Sequence, residues 1–311
     1  MPKPRTSSTL DLPPLWSPMD STRRFVAPGK VVLIGEYAVL DGAPAIVAAV
    51  NRGVQCRFTP GGSKRQISAP DLRFVEPALQ AVSAPMGHYE FQPFNPPQTA
   101  SKAGLGSSAA ATVVAALAGS AISQRPLSRA ELLKIALEVH RRVQGSGSGI
   151  DVAASVYGGV IRFQRDQVHH VAPVEPMIIW TGASAKTGPR VEQYLRWTDR
   201  EAFVADSTHC VDSFETDPIA AIYTANTVLL QMAEAAGIDY RTPALDQIIE
   251  LAQAYGGAAK ASGAGGGDCA VALFSATGDR TGFHAECRKR GYPLITARLS
   301  EGAHEAQLCP K

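Results

Sequence analysis

The chain has 311 residues, 45% hydrophobic and 19% charged, with a formal net charge of +2. That length and apolar content suffice for two packed domains and exclude a disordered chain. The charge balance is too mild to mark a nucleic-acid binder, and no run of about eighteen apolar residues exists to span a bilayer.

Cys56, Cys210, Cys269, Cys287 and Cys309 are scattered and form no CxxC pair, which points to reduced thiols rather than a disulfide framework or a zinc site. Residues 1–20 are rich in Pro and Ser and lack the apolar core of a secretory signal, so a flexible tail and a cytoplasmic location are expected.

Regular structure is expected from Arg23 onward. Phe25–Ala27 and Val31–Ile34 read as one strand interrupted by a tight bend at Pro28-Gly29. Ala45–Phe58 is a second β run, closed by Pro60-Gly61-Gly62, and Pro93–Ala103 is polar, Pro-rich loop. Helices are expected over Ala109–Ser120 and Ser128–Gln144. The second carries Ser128 and Glu131 at capping-box spacing and Gly145 where a C-terminal glycine belongs. Strands follow at Val156–Phe163 and Met177–Trp180. The polar stretch Gln164–Pro176 between them, which includes His169 and His170, reads as turn and domain boundary. Helices at Val191–Trp197, Pro218–Ala236, Ala244–Tyr255 and Thr281–Arg290 alternate with strands at Cys269–Phe274 and Pro293–Leu299. The expected class is α+β in two lobes: a tail at 1–20, an N-terminal domain at 21–170 and a C-terminal domain at 171–311.

The segment from Ser101 to Ala110 (SKAGLGSSAA) is the most informative. Glycines let the backbone approach an anion, successive amides then point at it, and the helix start adds a partial positive charge. Taken alone, a Gly-Ser linker with a serine cap explains it equally well. Gly104-x-Gly106-x-x-Ala109 also fits a dinucleotide fingerprint formally, but a Pro-rich loop precedes it where that motif needs a strand. No GK[ST] follows, so it is not a Walker A loop.

Two further glycine-bearing segments change the balance. They are Ala27–Gly42 (APGKVVLIGEYAVLDG) and Lys260–Cys269 (KASGAGGGDC). In this order and spacing, the three segments resemble the three motifs of the GHMP kinases, the galactokinase, homoserine, mevalonate and phosphomevalonate kinase family. The resemblance runs from Ala27 to Phe274. It implies an N-terminal lobe like the second domain of ribosomal protein S5 and a ferredoxin-like C-terminal lobe, with ATP and the acceptor between them. Within the family, His140–Ala154 (HRRVQGSGSGIDVAA) is similar to the phosphomevalonate kinase pattern, with Val143 in place of Ala. Mevalonate kinases instead carry a Mg²⁺-binding Glu at the position of His140. Gly35–Leu40 suits either branch, so mevalonate stays open as the acceptor beside phosphomevalonate.

The resemblance implies ATP and Mg²⁺ as cofactors and a small-molecule acceptor, with no nucleic acid or membrane partner and a homodimer left open. It assigns Lys30 and Asp151 to catalysis and Lys102, Gly104, Leu105, Gly106, Ser107, Ser108 and Ala109 to the nucleotide, with Ser108 on the metal. Acceptor contacts are expected from Lys30, Glu36, Tyr37, Ser148, Gly149, Asp151, Lys186, Arg190, Gly265 and Gly266. For Lys186 and Arg190 a solvated charged face is the competing reading, and for His140 a buried structural role. Trp180 reads as core. Non-catalytic sensors on this fold would be expected to lose Asp151 or the serine loop, and both are intact.

Overall fold

In a computed structural model, residues 22–96, 103–145 and 147–307 are described. The tail at 1–20, Ser101, Lys102, Ser146 and Cys309 lie outside them.

Strand β1 (Arg23–Ile34) runs unbroken through Pro28-Gly29, where a register shift against β2 (Ala45–Thr59) takes up the irregularity as a bulge. Between them, a single 3-10 turn spans Ala38–Asp41. Next come β3 (Arg65–Ser68), α1 (Leu72–Ala81), β4 (Gly87–Phe94), α2 (Ser107–Ile122) and α3 (Arg129–Gln144). Helix α3 has the full capping box at Ser128 and Glu131 and closes at Gly145 with φ 78°. Helix α4 (Ile150–Tyr157) stands where a strand from Val156 was expected. Gly158, at φ 72°, ends it, and β5 (Val160–Gln164) begins only after that turn. Strand β6 (Gln167–His170) hairpins back onto β5, so His169 and His170 sit on a sheet edge rather than in a linker.

Strand β7 (Met177–Trp180) opens a second sheet. Helices α5 (Thr187–Arg196), α6 (Glu201–Ser213), α7 (Pro218–Ala235) and α8 (Pro243–Ala254) lead to β8 (Gly257–Ala261) and β9 (Cys269–Phe274), and α9 (Arg280–Lys289) follows. The expected last strand is short: Leu294 bridges Ile179, and the Ile295 amide donates to Ile178 O. The sheet order is therefore 294–β7–β9–β8, with β-α-β-β-α-β connectivity, the ferredoxin-like arrangement. Residues 298–300 then cross to hydrogen-bond Asn51 and Ala49, and β10 (His304–Ala306) adds to the first sheet beside β1. A division at 170/171 thus leaves β10 with the second unit by sequence and with the first by hydrogen bonding.

Alternation along β1 and β2 explains why the lobes form one body. Val32, Ala45 and Val47 face α2, α3 and α4, whereas Val31, Leu33, Ile46 and Ala48 face Ile178, Trp180, Val271, Phe214 and Ile222 of the second lobe. Both faces of the first sheet are buried, so its central strands read as continuous apolar runs. Trp180 is core, as expected. None of the described helices is long and apolar enough to cross a membrane.

Candidate active site

Lys30 sits on β1 just past the bulge and is 7% exposed. Its amide donates to Leu105 O at 2.9 Å, and its ammonium donates to Gly104 O at 3.3 Å and lies 3.4 Å from Asp151 Oδ1. Asp151 lies in the first turn of α4, placed there by the left-handed Gly149 (φ 88°). Gly106, at φ 76°, starts α2, and a Cβ on it would come within 3.1 Å of Lys30 Cγ. Only glycine lets this loop lie against the Lys30–Asp151 pair. The first and second glycine segments and α4 therefore meet at one point.

Ser107 and Ser108 open α2, Ser107 exposed and Ser108 partly so. Ser108 Oγ lies 3.3 Å from Nε2 of His140, which is buried against Phe74. Burial pushes the His140 imidazole below its ordinary value, against the pull of Asp151. Ala109 is buried behind the loop. No group of three or more His, Cys, Asp or Glu among the described residues could cage a metal ion. A Mg²⁺ ion, which takes oxygen ligands and keeps several waters or phosphate oxygens, fits a hydroxyl at a phosphate loop with a carboxylate nearby better than a protein cage. Ser108 and Asp151 are such donors.

The third glycine segment closes the site from the second lobe. Ser262 Oγ accepts from Val32 N at 2.9 Å, and Tyr37, itself at φ 62°, donates its hydroxyl to Ala264 O at 2.6 Å. Lys260, fully buried, donates to Glu36 Oε1 and Ala261 O, and the Gly263 amide also reaches Glu36 Oε1. Burial lowers the Lys260 pKa while Glu36 raises it. The Tyr37 hydroxyl and Glu36 Oε1 are thus spent on the lobe junction. Gly265 lies face-on to Tyr240, and Gly266 lies under the Arg190 guanidinium. Arg190, on α5, is held by Asp239 O at 2.8 Å and Lys186 O at 3.0 Å. Lys186 caps α5 and is exposed; Ser148 Oγ accepts from Ile150 N at the start of α4.

Two participants carried no role in the sequence reading. Asp268 packs its carboxylate against Gly104, and Lys30 and Arg190 both favour its ionised form against a larger desolvation. Cys269 donates its thiol to Ala103 O at 3.0 Å, and burial pushes it up to about 12. A non-glycine residue directly after a run of glycines was the available signal for Asp268.

The protein matches the GHMP kinases N terminal domain over residues 96–159 and the GHMP kinases C terminal domain over residues 217–291. It is 30% identical to a phosphomevalonate kinase of Streptomyces sp. (strain CL190), over 84% of this chain and 92% of that protein. It is also 28% identical to a mevalonate kinase of Aeropyrum pernix, over 92% of this chain and 98% of that one. Among solved structures, it superposes on Streptococcus pneumoniae phosphomevalonate kinase in complex with phosphomevalonate and AMPPNP. The TM-score is 0.76 at 20% identity, covering 90% of this chain and 100% of that chain. The chain belongs to the GHMP kinase family, with the α+β fold of its members. It is an ATP-using phosphotransferase whose relatives act in the mevalonate pathway.

Proposed function

We propose that the protein transfers the γ-phosphoryl group of ATP to 5-phosphomevalonate, giving 5-diphosphomevalonate and ADP. The observation that carries this reading is the convergence of two cations, Lys30 and Arg190, on the space beside Asp268 and Gly104. A phosphate acceptor has its second pKa near 6, so its oxygen is ionised at neutral pH and needs no base. The obstacle is repulsion between two anions, and paired cations answer it. An Arg can also grip two phosphate oxygens.

In this reading, residues 21–170 and 171–311 are the two lobes and the reaction runs between them. Amides of Gly104, Leu105, Gly106, Ser107, Ser108 and Ala109, at the positive end of α2, cradle the nucleotide phosphates. Ser108 would hold Mg²⁺ together with phosphate oxygens and water; the ion supplies neutralisation of the phosphate charge. Lys30 bridges the transferring oxygens, and Asp151 at 3.4 Å holds the ammonium in place. Arg190 and Lys186 take the acceptor's phosphate over Gly265 and Gly266, with Ser148 and Gly149 on the α4 side. Glu36 and Tyr37, engaged elsewhere through Glu36 Oε1 and the Tyr37 hydroxyl, shape the wall.

The Aeropyrum relative favours a second reading, mevalonate as acceptor, with Asp151 taking the hydroxyl proton. An ADP-release assay with both acceptors side by side tests the two. Turnover of phosphomevalonate with none of mevalonate is expected, and turnover of mevalonate alone would overturn the proposal.

A further inference from the structure

Asp268 has a backbone that aspartate seldom adopts, with φ 56° at the end of the glycine run. Every polar group it carries is used or aimed at the site. Its amide donates to Ala183 O at 2.7 Å, and its carbonyl accepts from Thr181 N at 3.0 Å and Thr181 Oγ1 at 2.8 Å. Carboxylate Oδ1 accepts from Ala185 N at 3.1 Å, and a Cβ on Gly104 would come within 2.7 Å of Oδ2. Gly267 fits the same junction, since a Cβ there would come within 2.8 Å of Ala183 O.

One residue therefore ties three segments: the loop 181–185 that launches α5, the third glycine segment, and the nucleotide loop at Gly104. Helix α5 follows that loop at once, with Lys186 at its cap and Arg190 one turn on. We propose that Asp268 is a positioning residue for the acceptor: it fixes loop 181–185 against Gly104, so that Lys186 and Arg190 stand at a set distance from the γ-phosphate. The proposal rests on the acceptor site described under Proposed function and adds its specificity device. Main-chain bonds hold residues 181 and 183, the side-chain bond at Ala185 fixes the end of the loop next to Lys186, and the left-handed backbone aims the carboxylate. Lys30 and Arg190 both attract the negative charge, which tempers their field.

Asp268→Gly removes the carboxylate and relieves the φ strain, so a melting temperature close to wild type is expected even though the Ala185 bond is lost. Its KM for the acceptor should rise at least about tenfold while its KM for ATP stays within about twofold, because the nucleotide loop is still held by the Lys30 ammonium at Gly104 O and the Lys30 amide at Leu105 O. Asp268→Asn tolerates the same φ, keeps an oxygen for Ala185 N, and removes the charge. Its acceptor KM should return to the wild-type value or fall below it. The inference is overturned by an unchanged acceptor KM in Asp268→Gly, by acceptor and ATP KM rising together, or by Asp268→Asn failing to rescue. Both acceptors are run against the wild type first. If mevalonate alone turns over, the phosphomevalonate reading fails, and the same comparison on mevalonate's KM still decides the role of Asp268.

Discussion

Lys260 and Glu36 form an ion pair sealed inside the lobe junction, the lysine 0% and the glutamate 5% exposed. One partner comes from β8 of the second lobe and the other from the turn after β1. The same Glu36 oxygen takes the Gly263 amide, and the other, Oε2, has no partner and is buried. Two of the three glycine segments are thus locked together by an almost wholly buried charge pair.

A buried pair costs much more to break than it contributes when intact, because a lone charge is left desolvated. Lys260→Met should lower unfolding stability by about 3–5 kcal/mol, and Glu36→Leu with Lys260→Met together should recover most of that loss. Urea denaturation of the single and double variants measures both. A Lys260→Met variant within about 1 kcal/mol of wild type would mean that the junction relaxes around an uncompensated Glu36.

How much was legible beforehand follows from how local each signal is. The capping box of α3, the glycine loop before α2 and the residues Lys30 and Asp151 are carried by short sequence patterns. The sequence therefore predicted them, and the structure brings Lys30, Asp151 and Gly106 together. Helix α4 has eight residues, five of them Ile, Val or Ala, and is too short for periodicity to separate helix from strand. Helix α1 carries Pro77 inside it, and β8, Gly-Ala-Ala-Lys-Ala, has no β-branched residue; partners alone make them regular. The roles of Glu36 and Asp268 were hidden for a similar reason. Their partners Lys260 and Gly104 lie far off in sequence, and only the fold brings them close.

Lys30 and Asp151 should separate kinetically. Lys30→Met removes the charge donated into the loop at Gly104 O and should lower kcat by about a thousandfold or more, roughly 4 kcal/mol of transition-state stabilisation. Asp151→Asn keeps the shape beside Lys30 and should retain measurable turnover of phosphomevalonate, about ten- to a hundredfold down. Steady-state kinetics at saturating ATP measure both. Equal and total loss in the two variants would restore Asp151 as an obligatory base.

Gly106 and Gly182 both have positive φ, 76° and 91°, but only Gly106 is crowded. Gly106→Ala pushes a methyl group at Lys30 Cγ and Cε, so kcat should fall at least about tenfold beyond any loss of stability. Gly182→Ala meets nothing within 4 Å and carries the strain alone. It should cost about 1 kcal/mol of stability and leave kcat within about twofold. Comparable rate losses in the two would show that backbone strain, rather than the approach to Lys30, sets the rate.

Asp268 gives a pH dependence whose sign is fixed. Burial raises its carboxyl pKa above the ordinary 3.8, with Ala185 N, Lys30 and Arg190 pulling the other way. A carboxyl with a raised folded pKa contributes stability that is complete below its unfolded pKa and is lost as pH rises through the folded one. Asp268→Asn mimics the protonated form at every pH. The variant and the wild type should therefore melt together near pH 4, and the variant should melt increasingly higher as pH rises toward about 7. The gap should widen when a polyanionic nucleotide is bound, because Lys30 then turns from the aspartate to phosphate and the phosphate charge disfavours the ionised carboxyl. Thermal melts across that range, with and without nucleotide, measure it. A wild type that melts increasingly above the variant as pH rises in the free protein would mean that the cations outweigh desolvation and that the Asp268 carboxyl lies below its ordinary value.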